Sequence, residues 1–151
     1  MPMSAVVSIL ASAARTASGT GAAVRLPGVL GATDPSLASQ DATKKDPKAL
    51  LVMLSVTAGS GTVTTFRVWL EFSQDGASWY EQQADVVMES AAAAPGTAQP
   101  NQRDLVNKTA VQSSLKILAR YSALMHYVRA QWAIAGTTPS ETFAIDAVAV
   151  S

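Results

Sequence analysis

Between Thr62 and Phe72 the sequence TVTTFRVWLEF alternates without interruption. Phe66, Val68, Leu70 and Phe72 fall on one side, with Thr65, Arg67, Trp69 and Glu71 on the other. A period of two sustained over this length dictates a β-strand with one face buried. The same period returns from Tyr127 to Ala135, where Val128, Ala130, Trp132 and Ile134 share a face opposite Arg129 and Gln131. It returns again from Thr142 to Val150, where Phe143 and Ile145 are out of phase with Thr142 and Asp146.

Around these runs the remaining signals are also those of β-structure. Ala49–Thr57 is a β-rich run followed by Ala58-Gly59-Ser60-Gly61, a turn signal that predicts a hairpin with the Thr62 strand. Gly136-Thr137-Thr138-Pro139-Ser140 predicts a second hairpin, with Thr142–Val150 pairing back on Tyr127–Ala135. Each hairpin carries a Gly-Thr pair at its turn (Gly61-Thr62 and Gly136-Thr137), which is weak support for duplication. Asp75-Gly76 is a hairpin-type turn, with Trp79-Tyr80 opening the next strand. Val111, Ser113, Leu115 and Ile117 alternate against Gln112, Ser114, Lys116 and Leu118, and strand is preferred there over a helix across Val106–Tyr121. The expected fold class is all-β: an antiparallel β-sandwich or jelly roll.

Composition divides the chain. All nine aromatic residues lie at or after Phe66, and the first 48 residues are rich in Ala, Ser, Thr, Gly and Pro. A segment without large side chains buries little apolar area to offset its ordering entropy. Residues 1–48 are therefore expected as an extended N-terminal arm, the competing reading being a disordered tail. Within it Ser18-Gly19-Thr20 is a candidate turn joining Ser12–Ala17 to Gly21–Leu26 in a short hairpin. Residues 49–151 are expected as the β-domain, interrupted by a long exposed loop at 91–104 (AAAAPGTAQPNQRD).

Charge and composition exclude several function classes. Eleven basic residues balance eleven acidic ones, and the densest basic stretch, Lys44–Lys48, is interrupted by Asp46. Nucleic-acid binding, which draws its affinity from neutralised phosphates, is not expected. No apolar run approaches the length of a membrane helix, and Met1–Ala14 lacks the basic start of a signal peptide, so no membrane partner is expected. The lack of cysteine excludes disulfides and thiolate metal sites and fits folding in a reducing compartment.

Catalytic signals are weak. His126 is the single histidine, with no Gly-x-Ser-x-Gly elbow and no cysteine to serve, and is read as structural. The acidic residues are scattered singly, and Asp75 in Ser73-Gln74-Asp75-Gly76 is read as a turn residue rather than a calcium ligand. Gly19-Thr20-Gly21-Ala22-Ala23-Val24 falls short of a dinucleotide fingerprint, and Asn107-Lys108-Thr109 is a chance glycosylation motif. No enzyme, metal or cofactor is expected. Trp69 shares its strand face with Arg67, and both become contact residues if that face is open; if both faces are covered, Trp69 is core. Trp79 and Trp132 are expected in the core.

Leu54-Ser55-Val56-Thr57, Gly61-Thr62 and Glu71-Phe72-Ser73-Gln74-Asp75-Gly76-Ala77-Ser78-Trp79 together resemble small virion structural proteins of tailed bacteriophages. So do Tyr127-Val128-Arg129-Ala130, Gly136–Ser140 and the earlier stretch Ala14–Val24. The resemblance covers about half the chain. It implies a head decoration (cement) protein on the capsid exterior, made in the host bacterial cytoplasm. Its partners would be the major capsid protein and further copies of itself in a homotrimer. The expected interface residues are Val24, Leu26, Pro27, Val29, Leu30 and Leu37 on the arm, with Arg67 and Trp69 on the domain. The alternatives are a tail tube, tail terminator or fibre subunit, and a carbohydrate-binding module stacking sugars on Trp69 or Trp79.

Overall fold

A computed structural model describes residues 6–26, 49–90, 97–98 and 103–150. They form strands β1 (Val7–Arg15), β2 (Gly19–Thr20), β3 (Val24–Arg25), β4 (Ala49–Ser73) and β5 (Tyr80–Glu81). Strands β6 (Val86–Ser90), β7 (Thr97–Ala98), β8 (Asp104–Lys108), β9 (Leu115–Tyr121) and β10 (Tyr127–Val150) follow. All ten belong to one antiparallel sheet, so the all-β expectation holds. No helix crosses Val106–Tyr121; the strand there starts at Leu115, later than the alternation suggested.

The two predicted hairpins do not form. Ala49–Thr57 and Thr62–Phe72 are parts of the single strand β4, and Tyr127–Ala135 and Thr142–Val150 are parts of the single strand β10. These two long strands pair with each other from Ala49↔Val150 to Ser73↔Tyr127. The turn signals mark a shared corner instead. The register shifts between Ala135 and Gly136 and again between Thr137 and Ser140, opposite Ser60–Val63.

Gly61 and Gly136 take φ values of 75° and 147°, and Thr138 takes 44°. A Cβ on Gly61 would lie 2.0 Å from the Thr138 carbonyl oxygen, and one on Gly136 would lie 1.9 Å from that of Thr62. Each glycine lets the neighbouring backbone pass where a side chain would stand. The inward face consequently changes phase along β10, from Val128, Ala130 and Ile134 before the corner to Phe143, Ile145 and Ala147 after it.

Beyond the corner the sheet lies face to face with itself. Phe66 meets Phe143 across the interior at 5.4 Å between ring centroids, and Phe72 meets Tyr121 at 5.2 Å. One half holds β1, the end of β10, the start of β4, β9, β6 and β7; the other holds β2, β3, the start of β10, the end of β4, β5 and β8. Between the halves lie Leu50, Val52, Leu54, Phe66, Val68, Leu70, Leu115 and Ile145, all buried.

The expected N-terminal arm is not free over residues 7–26. β1 pairs with Glu141–Ala147, β2 with Gln131–Trp132 and β3 with Tyr127–Val128, so this segment follows β10 past the corner as a broken edge. The short hairpin predicted around Ser18-Gly19-Thr20 is replaced by that bend. Ile9, Leu10 and Leu26 enter the core, and burying each such side chain contributes about 2 kcal/mol. Sparse large residues were enough, because β10 supplies the hydrogen-bonding partner that an isolated arm lacks.

Arg15 seals the bend. Its guanidinium donates to the carbonyl oxygens of Ala11, Ala13 and Phe143 at 2.8–2.9 Å and covers the rings of Trp132 and Phe143. Burial lowers its pKa from the ordinary value. The Trp132 indole N–H donates to the Ala17 carbonyl at 3.0 Å, and its ring lies where a Cβ on Gly19 would fall, 2.6 Å away. That close approach is the role of the glycine the near-fingerprint contained.

Candidate interaction surface

Residues 65, 67, 69 and 71 of β4 point outward from the half that holds β8, as the alternation required. Cross-strand register sets Arg129 beside Glu71, Gln131 beside Trp69, Ala133 beside Arg67, and Asp104 beside Trp69 on the other flank. Same-face neighbours at this spacing interact, and opposite charges here meet in both directions.

Arg67 donates to Asp104 from Nε at 3.2 Å and from Nη2 at 3.0 Å. Arg103 donates to the other oxygen of Asp104 at 3.1 Å and to Glu81 at 2.9 Å. Both guanidiniums lie over the Trp69 ring, Arg103 at 4.7 Å and Arg67 at 5.5 Å from its centroid. A second group repeats the design. Arg129 donates to Glu71 at 2.8 Å, covers Trp79 at 4.2 Å, and shares the Glu71 oxygen with the Gln131 amide.

Electrostatically the face is balanced and pre-paired. Burial raises the pKa of Asp104, opposed by the charge and hydrogen bonds of Arg67. The Trp69 indole N–H is buried and finds no acceptor among the described residues.

Of the expected interface residues, the structure brings Arg67 and Trp69 together on this face. Leu26 is buried and Val24 packs against the core, so neither is an outward anchor; backbone pairing to β10 turns both toward this chain's own interior. Pro27, Val29, Leu30 and Leu37 lie outside the described residues, as do 91–96 and 99–102 of the 91–104 loop. Within that loop Thr97–Ala98 pairs with Met88–Glu89. Sequence reasoning missed Arg103 and Asp104, which it placed in the loop, and Glu81. Arg129 and Glu71 were assigned to outward faces, yet only the β4–β10 pairing makes them neighbours. Trp79 and Trp132 are half-buried, each capped by a guanidinium.

The other candidate residues have structural work. His126 is buried, with its ring nitrogens 3.2 Å from the Gln74 amide nitrogen and the Gln74 carbonyl oxygen. A hydrogen on Nδ1 would donate to the Gln74 carbonyl, with Nε2 accepting from the Gln74 amide. Asp75 accepts from the backbone N–H groups of Ala77 and Ser78 at 2.8 Å and from the Ser73 hydroxyl at 2.9 Å. Those bonds hold its carboxyl down at about 2. Among the described residues no group of three or more His, Cys, Asp or Glu side chains is placed to hold a metal ion, and no helix is long and apolar enough to cross a membrane.

The chain matches no family model, no curated protein and no solved structure.

Proposed function

We propose that this chain is a capsid decoration protein of a tailed bacteriophage, a non-enzymatic subunit that binds the outside of the major capsid protein lattice and stabilises the head. The observation that carries the reading is the Arg–Trp face: Trp69 under Arg67 and Arg103, and Trp79 under Arg129, with Asp104, Glu71 and Glu81 holding the guanidiniums in place. Arginine and tryptophan are the side chains that dominate protein interfaces, and rotamers fixed beforehand lose little entropy on docking. Many modest contacts, repeated over a symmetric lattice, then sum to firm attachment. Of the residues that resemble phage virion proteins, Glu71, Trp79 and Arg129 lie on this face and Gly136–Ser140 form part of the corner.

The test is co-sedimentation of the purified full-length protein with capsids that lack it. Arg103→Ala combined with Arg129→Ala should weaken capsid binding by about 100-fold, with an unchanged circular dichroism spectrum. Wild-type binding by this folded variant would sink the assignment. A sugar stacking on Trp69 would first have to displace Arg103, so the geometry favours the protein partner over the carbohydrate.

A further inference from the structure

The hydrogen-bond donors of the Arg–Trp face are spent unevenly. Arg103 donates from all three of its nitrogens, to Asp104 and Glu81, and Arg67 donates from two, both to Asp104. Arg129 donates from Nε alone, to Glu71 at 2.8 Å, and its two terminal nitrogens meet no acceptor among the described residues. Tyr127 stands two residues earlier, on the same face of β10. Its hydroxyl accepts from Arg25 Nη1 at 2.8 Å, and its own hydrogen has no acceptor among the described residues.

The neighbouring acids are already engaged. Glu71 takes Arg129 and the Gln131 amide on one oxygen. Asp75, beside the Gly76 that abuts the Tyr127 ring, takes Ser73, Ala77 and Ser78. The Arg129 guanidinium is held in place, because Glu71 fixes its Nε and the Trp79 ring lies 4.2 Å from it. A guanidinium held in this way offers its terminal nitrogens as a planar fork, whose matching acceptor is a carboxylate or a phosphate. Charge decides between the two. Arg25 and Arg129 are balanced here by Glu71 and Asp75, so a phosphate would leave up to about two excess negative charges on the patch and a carboxylate one.

We propose that Arg129, with Tyr127 beside it, takes the carboxylate of an aspartate or glutamate of the bound protein, so that the partner's contacting segment is acidic. The inference rests on the decoration reading for its docking face and adds what the partner brings to it.

A hexaglutamate peptide titrated into the full-length protein, followed by NMR at the Arg129 guanidinium and the Trp79 indole, should bind saturably and shift both signals. Arg129→Lys keeps the charge and loses the fork, and should weaken the peptide about tenfold. Tyr127→Phe keeps the ring and should weaken it about threefold. Lys116→Gln, on the opposite half of the sheet, should leave the affinity as it is. A folded Arg129→Lys variant that binds like wild type would overturn the proposal. So would equal weakening by Lys116→Gln, or inorganic phosphate bound more tightly than the peptide. Capsid co-sedimentation separates this inference from the decoration reading. Full capsid binding by Arg129→Lys, with the Arg103→Ala, Arg129→Ala variant released, removes the carboxylate assignment alone. Saturable peptide binding at Arg129 by a wild-type protein that ignores capsids supports that assignment and removes the decoration reading.

Discussion

Glu141 is the clearest case of a single side chain that conditions the whole molecule. It is fully buried at the corner, opposite Gly59 in the register; its Oε1 accepts from the Gln112 N–H at 2.7 Å, and its Oε2 has no hydrogen-bond partner. Burial raises its pKa above the ordinary 4.5, against the lowering effect of the Gln112 bond. A carboxyl raised in the folded state stabilises fully below its unfolded value, and that stabilisation is lost as pH rises through the folded value. Glu141→Gln keeps the acceptor for Gln112 and removes the buried charge. Its melting temperature should therefore exceed that of wild type at pH 8 and approach it at pH 4. Thermal melts across that range check this, and a difference independent of pH would contradict it. Carried back two residues, the alternation of Phe143 and Ile145 places Glu141 on the inward face, and only its charge argued against burial there.

At the scale of elements, the corner is where the sequence was read correctly as a signal and wrongly as a shape. Gly59–Gly61 and Gly136–Ser140 have the composition of hairpin turns, and local chemistry cannot tell a reversal from a bend shared by two adjacent strands. The distinction lies in partners distant in sequence: Gly61 abuts Thr138, and Gly136 abuts Thr62. Strand periodicity, which needs only neighbouring residues, was legible in Thr62–Phe72 of β4, in β9, and in Tyr127–Ala135 and Thr142–Val150 of β10. So was the outward placement of Arg67 and Trp69. Their partners Arg103 and Asp104 were hidden, because pairing between β8 and β4 leaves no mark in either sequence. Gly136→Ala should cost about 3 kcal/mol or more, from the positive φ combined with a collision against backbone. Gly76→Ala is the comparison, since its φ of 77° carries the strain, yet its nearest neighbour is the Tyr127 ring at 3.6 Å. Urea midpoints for the two variants check the ranking, and equal losses would refute the close-approach account.

For the molecule as a whole, the N-terminal segment belongs to the sheet. Low aromatic content suggested an extended arm ordered mainly by what it lies against, and residues 7–26 lie along β10 as one margin of the sheet. Removing residues 1–26 would strip Ile9, Leu10 and Leu26 from the core and leave β10 unpaired along one side. The truncated protein should lose its cooperative melting transition and aggregate, as circular dichroism and light scattering would register. A truncated chain that melts like wild type would refute this. The pairing of β4 with β10 also sets an order of events. Ala49 meets Val150 and Ser73 meets Tyr127, so the central ladder joins segments made at widely separated moments of synthesis. Until Tyr127–Val150 has left the ribosome, β1, β2 and β3 have no partner and β4 lacks its main one. The nascent chain therefore carries bare strand edges until β10 emerges, and its assembly waits on the closing of long loops.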